Sequence, residues 1–465
     1  MATYKEKRGT NIVPIVSGQP TTGVNGEIVY ITGEGLASYN GGTWSKLTAN
    51  IPPQVFNGTH TRFLANPENQ NSGFGKNTSL SDAYILVGAW NKTIGSVSDA
   101  GAAYLFDYSG TLVRTFNNPS PVGYTSTSSK VQFGHNTTQT PDGAHSYIAY
   151  AYYWNGTGHQ GVVSKYNNST GAFIRNIDGP VTDGNGTDSQ YFAFNGLEAS
   201  ANYLLIGCTK YGTVSGQNYS GRVYCYNHSG TLQWVKDNPN ATGTTDYDHF
   251  GDSFSITPDE NYVAVSAHYE DNTGGTETGV VYLLNMSDGS VAQTFRNPDA
   301  NTNFPYTQFY GGRNAVGCSN THTVVGSQGW NGGVNYTGRA WVFNNSDGSL
   351  TRTHAAPSGN TTGYNWGDVV AACNDFYAIA EPGLPASGAY SKGAVYVYKM
   401  SDGTLLYTIR NTDSNTSNSV DKFGSASSGG RMSLRPNGSA VTLAVAITGQ
   451  DIVGTDNVGQ VTIWN

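Results

Sequence analysis

Residues 250–298, FGDSFSITPDENYVAVSAHYEDNTGGTETGVVYLLNMSDGSVAQTFRNP, decide how the rest of the chain is read. Four short runs there have strand patterning: Phe254–Ile256, the alternating Tyr262–Ala267, residues 279–284 and residues 291–295. Thr257-Pro258-Asp259-Glu260-Asn261 separates the first pair and Ser287-Asp288-Gly289 the last, both compositions that favour tight turns. One four-stranded meander of this size cannot bury both of its faces. The pattern therefore predicts copies packed side by side.

The copies are present. An aromatic followed by glycine recurs at Phe74-Gly75, Phe133-Gly134, Phe250-Gly251, Trp366-Gly367 and Phe423-Gly424, with degenerate versions at Tyr191-Phe192-Ala193 and Phe309-Tyr310-Gly311. Adjacent starts (74, 133, 192, 250, 309, 366, 423) are 57 to 59 residues apart. Each is followed by an apolar run ending in small residues, such as ILVGA (85–89) and VAVSA (263–267). A glycine-led third run follows: GAAYLF (101–106), GVVSKY (161–166), GRVYCY (221–226), GRAWVF (338–343) and GAVYVY (393–398). The fourth is a ten-residue block at 110–119, 171–180, 230–239, 289–298 and 348–357, and at 403–412 without its proline. Seven units of four strands predict an all-β, seven-bladed β-propeller. The seventh copy reaches its third strand in GQVTIWN (459–465), while the missing block, GTHTRFLANP, lies at 58–67. That N-terminal strand is expected to close the last blade and remove an open edge from the ring.

The order aromatic-Gly, apolar strand, G-A-x element, glycine-led strand and S-D-G turn resembles the FG-GAP, or integrin-α-like, propeller repeat. The resemblance covers residues 57–465, with Gly88-Ala89-Trp90 and Ala380-Glu381-Pro382 at the G-A-P element. The family's calcium-binding copies carry D-x-D-x-D-G between the first two strands. Here that slot holds turns such as Thr140-Pro141-Asp142-Gly143 and Thr257-Pro258-Asp259, so those calcium sites are not carried over. No cofactor or metal site is expected.

Residues 1–52 do not repeat. Strand-like runs at 26–32, 35–40 and 43–47, with a turn at Gly41-Gly42, predict a small β segment, separated from the propeller (53–465) by Ile51-Pro52-Pro53. Such a piece is too small to bury a core alone and should be ordered by docking onto a partner or onto its own copies. The pattern P-x-x-G-x-x-G-E-I-V-Y followed by L-x-S-Y-N-G-x-x-W, at residues 20–47, resembles N-terminal modules of bacteriophage tail-fibre and other virion proteins, those of marine cyanophages especially. The alternative is an ordinary β-hairpin linker. The resemblance implies a virion location, other virion proteins as partners of this segment, and several copies per particle.

Composition narrows the classes of partner. Only 12% of residues are charged, and the net charge of −8 has no basic stripe, which argues against a nucleic-acid partner. No 18-residue apolar run would insert in a membrane, and residues 1–14 have no secretory h-region. A polar, surface-like chain without that export signal suits a protein released by host lysis. Cys208, Cys225, Cys318 and Cys373 have no CxxC or histidine spacing and are expected as small buried thiols, with a disulfide framework the alternative.

Within a propeller, the first-to-second and third-to-fourth connections share one face. Here they are short. The second-to-third and fourth-to-first connections share the other face and are long and polar, the usual seat of recognition. A chain entering through a fourth strand enters on the short-turn face, so the leading segment is expected opposite the long loops. Trp90, Trp154, Tyr211, Tyr269 and Trp330 follow the second strands and are candidate ligand-binding residues that could stack on host-surface sugars. The alternative is packing of each loop onto its neighbour. Asp246, Asp248, Asp252, Glu270, Asp368 and Asp421 lie towards the same face. None forms a recognisable acid/base pair, and neither a sialidase Asp-box nor a G-x-S-x-G elbow occurs, so no enzyme is expected. Asp246 and Asp248 could hold Ca²⁺ with main-chain carbonyls or simply be solvated. The sequence reading is a phage virion structural protein displaying a propeller for host attachment. The alternatives are a capsid-decorating or fibre protein without a receptor, and a polysaccharide-degrading enzyme.

Overall fold

A computed structural model describes residues 15–16, 28–31, 35–40, 43–46, 56–68, 72–119, 132–154, 159–179, 192–209, 220–240, 248–271, 278–298, 315–328, 338–357, 365–383, 393–411, 423, 432–437, 440–447 and 459–465. The chain divides into two units, Met1–Gln54 and Val55–Asn465. In the first, Ile28–Ile31, Gly35–Asn40 and Thr43–Lys46 form the expected antiparallel meander. An additional short strand, Ile15–Val16, pairs in parallel with Ile28–Ile31.

The second unit is a seven-bladed β-propeller. Every blade is a four-stranded sheet, six of the seven in sequence order, and the described residues contain no helix. Blade I runs from Phe74 to Asn117, blade II from Phe133 to Asp178, blade III from Phe192 to Asp237 and blade IV from Phe254 to Arg296. Blade V follows from Val316 to His354 and blade VI from Val370 to Arg410. Blade VII combines Met432–Asn437, Ala440–Ile447 and Gln460–Trp464 with the N-terminal strand His60–Ala65. That strand pairs antiparallel with the third strand, Ala65 opposite Gln460 and His60 opposite Trp464. First strands of successive blades touch all round the ring, the seventh against the first.

The apolar core is partitioned by the geometry of a strand. Successive side chains point to opposite faces, so one strand feeds two inter-blade layers. In blade I, Ile85 and Val87 pack with Val461 and Ile463 of blade VII, whereas Leu86 packs with Phe133 and Ile148 of blade II. Both faces being covered is why the second and third strands read as nearly continuous apolar runs. The closing strand contributes Leu64 to the layer between blades VII and I. Phe56, just before it, is buried with Phe376 between blades VI and VII.

The recurring aromatic and glycine residues are one latch. Phe74, Phe133, Phe192, Phe250, Trp366 and Phe423 are fully buried. The glycine leading each third strand lies against the backbone of the next blade's aromatic: Gly101 on Phe133, Gly161 on Phe192, Gly221 on Phe250, Gly338 on Trp366, Gly393 on Phe423 and Gly459 on Phe74. Three of these contacts are parallel β-bridges. At Gly338 (φ +75°), a Cβ would lie 2.7 Å from the Trp366 carbonyl carbon, with the carbonyl oxygen closer still. No side chain fits there. Ala193 takes the glycine position of blade III and is held at φ 59°. The Phe309-Tyr310-Gly311 copy lies outside the described residues.

A second latch runs around the short-turn face. The fifth residue of each ten-residue block reaches the turn of the next blade. Arg62 donates to the Ser109 carbonyl, Arg114 to Ser169 and Arg175 to Ser229. Trp234 Nε1 donates to Met286 O at 2.7 Å, Gln293 Nε2 to Ser346 O at 3.0 Å, and Arg352 Nη2 to Met400 O at 2.6 Å. Tyr407, in the seventh, packs over Gly58. Each outer strand also carries a register shift, such as that between Leu105 and Phe106, which leaves one outer residue unpaired. Bulges of this kind twist an exposed edge away from further pairing.

All four cysteines are buried, and none is in a disulfide. Cys208 stands opposite Arg222 and Cys225 opposite Leu205, so the adjacent strands do not bring the two sulfurs into register. Burial pushes the thiols of Cys225 and Cys318 up to about 12 and that of Cys373 to about 11, which leaves them protonated at neutral pH. Cys373 directly follows the first strand of blade VI, Val370–Ala372.

Candidate functional site

The first strand of each blade is innermost and begins at the face of the long connections. Side chains two and three residues after each aromatic therefore gather near the ring axis. In blades I to IV these are Lys76 and Asn77, His135 and Asn136, Phe194 and Asn195, and Asp252 and Ser253. The amides build a ladder from blade to blade. Asn77 Nδ2 donates to His135 O at 2.7 Å, Asn136 Nδ2 to Asn195 O at 2.6 Å, and Asn195 Nδ2 to Asp252 Oδ1. A buried amide with its partners met holds the ring in one register.

Above this ladder the rings form an arc. Lys76 Nζ lies 5.0 Å from the centre of the Trp90 ring. Trp90 meets His135 edge-on at 5.6 Å, and His135 stacks on Phe194 at 4.2 Å with an angle of 26°. Beyond Asn195, Asp252 Oδ2 lies 3.4 Å from His268 Nδ1. Tyr269 packs on His268 at 4.2 Å and edge-on to His249 at 5.3 Å. Trp90, Phe194, Tyr269 and His249 are each half-buried, so the arc keeps aromatic surface in contact with solvent. Aromatic faces beside carboxylate, imidazole and ammonium groups suit a ligand with both C–H faces and hydroxyls, such as a sugar.

The three described aromatics among the five singled out by the sequence, Trp90, Trp154 and Tyr269, do not occupy equivalent positions. Pairing with the glycine-led strand aligns Ala89, Tyr150, Cys208, Ala267 and Ser327 across blades. Trp90 is the first residue past that point, Tyr269 the second and Trp154 the fourth. Trp154 ends the ten-residue strand His145–Trp154, opposite His159. Tyr211 and Trp330 lie outside the described residues. Trp90 and Tyr269 are thus brought to the arc. Their neighbours Lys76, His135, Phe194, Asp252 and His268 were not picked out from the sequence, although aligning the copies on their aromatics would have collected the first four.

The acids are buried instead of solvated. Asp248, Asp252, Glu270 and Asp368 are all buried, while Asp246 and Asp421 lie outside the described residues. Asp248 Oδ2 accepts from Asn238 Nδ2 at 2.8 Å. Glu270 Oε1 accepts from Tyr282 OH at 2.6 Å and Asn240 Nδ2 at 3.0 Å. Burial raises the Glu270 carboxyl above its ordinary range, against the pull of Tyr282, Asn240 and Arg296. In the slots where the resembling repeats carry calcium loops, Asp142 Oδ1 accepts from Thr140 Oγ1 and Ala144 N, and Asp259 Oδ1 accepts from Thr257 Oγ1 and Asn261 N. These carboxylates close their own turns. Among the described residues, no group of three or more His, Cys, Asp or Glu side chains converges to hold a metal ion.

The fold is a closed seven-bladed propeller, and the arc of rings and polar groups lies where its innermost strands begin. No protein family and no curated protein matches the sequence.

Proposed function

We propose that this chain is a virion structural protein that attaches a phage particle to its host. In this reading the propeller belongs with the FG-GAP-like repeats and residues 1–52 hold it to other virion proteins. Trp90 and Tyr269 contact surface glycans together with the rest of the arc, and Trp154, Tyr211 and Trp330 are further candidate contacts. The observation that carries the proposal is the half-buried aromatic, histidine and carboxylate arc at the start of the innermost strands. The chain enters the propeller on the opposite side, where Thr59 and Asn465 exchange backbone hydrogen bonds at 2.9 and 3.0 Å. Weak contacts suffice when many copies act together, because multivalency raises avidity far above single-site affinity. The protein acts without chemistry of its own: Asp248, Asp252 and Glu270 are each engaged by an amide, histidine or tyrosine, an arrangement that supports binding over acid/base work.

A glycan array probed with multimerised protein tests the reading. Binding to a defined set of host-type glycans is expected, with at least tenfold loss in W90A and Y269A. No glycan binding, or binding untouched by both substitutions, would overturn it. A second reading, a capsid-decorating or fibre protein without a receptor, has its own support. The large apolar side chains exposed among the described residues, from Phe63 to Leu406, all lie on the seven outer strands. An apolar belt there suits lateral contact between virion subunits.

A further inference from the structure

Blades I and IV carry the same three-residue niche with its charges rearranged. In blade I it consists of Glu68, Lys92 and Tyr104; in blade IV of Asn240, Glu270 and Tyr282. The backbone fixes the equivalence. Glu68 N and Asn240 N each donate to the side chain of the asparagine two residues earlier, Asn66 and Asn238, at 3.0 Å. Lys92 N and Glu270 N bond to Ala89 O and Ala267 O, and their own carbonyls both accept from a glycine amide at 2.9 Å, Gly101 and Gly279. Tyr104 and Tyr282 are each the third residue after that glycine.

In blade I the niche is electrically complete. Lys92 Nζ lies 2.7 Å from Glu68 Oε1 and 3.1 Å from Asn117 Oδ1, and 5.4 Å from the centre of the Tyr104 ring. In blade IV the carboxylate stands where the lysine stood, and a neutral amide stands where the carboxylate stood. Glu270 is only 1% exposed. Its Oε1 accepts from Tyr282 and Asn240 and the Asn238 amide also acts on the carboxylate, but its Oε2 is buried with no hydrogen bond of normal geometry among the described residues. Thr278 Oγ1, next to the glycine that bonds Glu270, is buried and unpartnered as well. Arg296 acts on Glu270 through space from an exposed position. A buried carboxylate oxygen left without a partner carries a full desolvation cost.

We infer that the blade IV niche binds one hard cation of the calcium class, with Glu270 Oε2 and Thr278 Oγ1 as protein ligands. The cation takes the electrostatic place of the Lys92 ammonium. Carboxylate and hydroxyl oxygens select hard ions over zinc or copper, and calcium tolerates a site completed by water. With one carboxylate ligand, affinity falls in the range of extracellular modules, a dissociation constant of about 10⁻⁴–10⁻³ M. The site lies at the second-to-third connection, not between the first two strands.

Terbium luminescence on the full chain tests this, because Tyr282 is hydrogen-bonded to the proposed ligand and would sensitise a bound lanthanide. Tyrosine-excited Tb³⁺ emission is expected to saturate at one ion per chain, to be displaced by Ca²⁺ and not by Na⁺, and to weaken in T278V. In E270Q, which keeps the side-chain volume, the saturable emission should disappear. A second variant, N240E/E270K, rebuilds the blade I pair and should also lose emission while retaining the wild-type melting transition, which guards against misfolding of the first. Absence of saturable emission in the wild type, or emission of unchanged affinity in both variants, would overturn the site.

Discussion

Replacing Gly338 by alanine should weaken the propeller through a single inter-blade contact. Gly338 is at φ +75°, where an L-residue costs about 1–2 kcal/mol. Its Cβ would also lie 2.7 Å from the Trp366 carbonyl carbon and 2.9 Å from the Trp366 amide nitrogen. Both are backbone atoms of a fully buried residue, so relief requires blade VI to shift relative to blade V. Overpacking of this kind costs about 1–3 kcal/mol. The sum is roughly 2–5 kcal/mol, a large fraction of the stability of an ordinary domain. Gly95 is the internal control, because it has φ +60° and nothing within 4 Å of an added Cβ. G95A should therefore lose only the conformational part, about 1–2 kcal/mol. Urea unfolding followed by tryptophan fluorescence gives both values from the midpoint shift at constant slope. Equal destabilisation by the two substitutions would refute the latch, since it would show that the contact between blades V and VI adds nothing to the backbone strain.

Two further outcomes follow from the ring and its titrating groups. A chain beginning at residue 71 lacks the strand His60–Ala65 and should aggregate or melt at lower temperature, whereas one beginning at residue 55 should retain the wild-type melt; a soluble, cooperative, unshifted melt of the shorter chain would count against closure by this strand. His354, packed against Tyr377 and Tyr398, is lowered to about 4 by burial and then by Arg352. Its neutral form is favoured by folding, so stability is intact above the ordinary value of 6.5 and falls as pH drops from there towards 4, by at most about 3 kcal/mol. H354Q should remove that part of the slope, measurable as urea midpoints at pH 7 and pH 4.5; an identical pH slope in wild type and H354Q would show that His354 titrates normally.

Local pattern determined the architecture. Strand periodicity, turn chemistry and a repeat of 57 to 59 residues specify seven meanders, and the displaced block at 58–67 specifies which strand completes the last one. These features are legible because each depends on residues adjacent in sequence: a strand alternates whatever it packs against, and a T-P-D-G turn closes on itself. What lies between blades depends on residues almost sixty positions apart, and only the tertiary structure decided it. Arg62, Arg114, Arg175 and Arg352 look like solvated charges on exposed strands, yet each donates to the turn of the next blade. Asp248 and Glu270 look like polar loop residues, yet both are buried, held by Asn238, Asn240 and Tyr282. The aromatics past the second strands look like one set, but strand register staggers them and leaves Trp90 and Tyr269 beside first-strand side chains that no local pattern marks. Packing neighbouring blades at the axis is what turns Lys76, His135, Phe194 and Asp252 from repeat positions into one surface, while Asn240 and Tyr282 enclose Glu270.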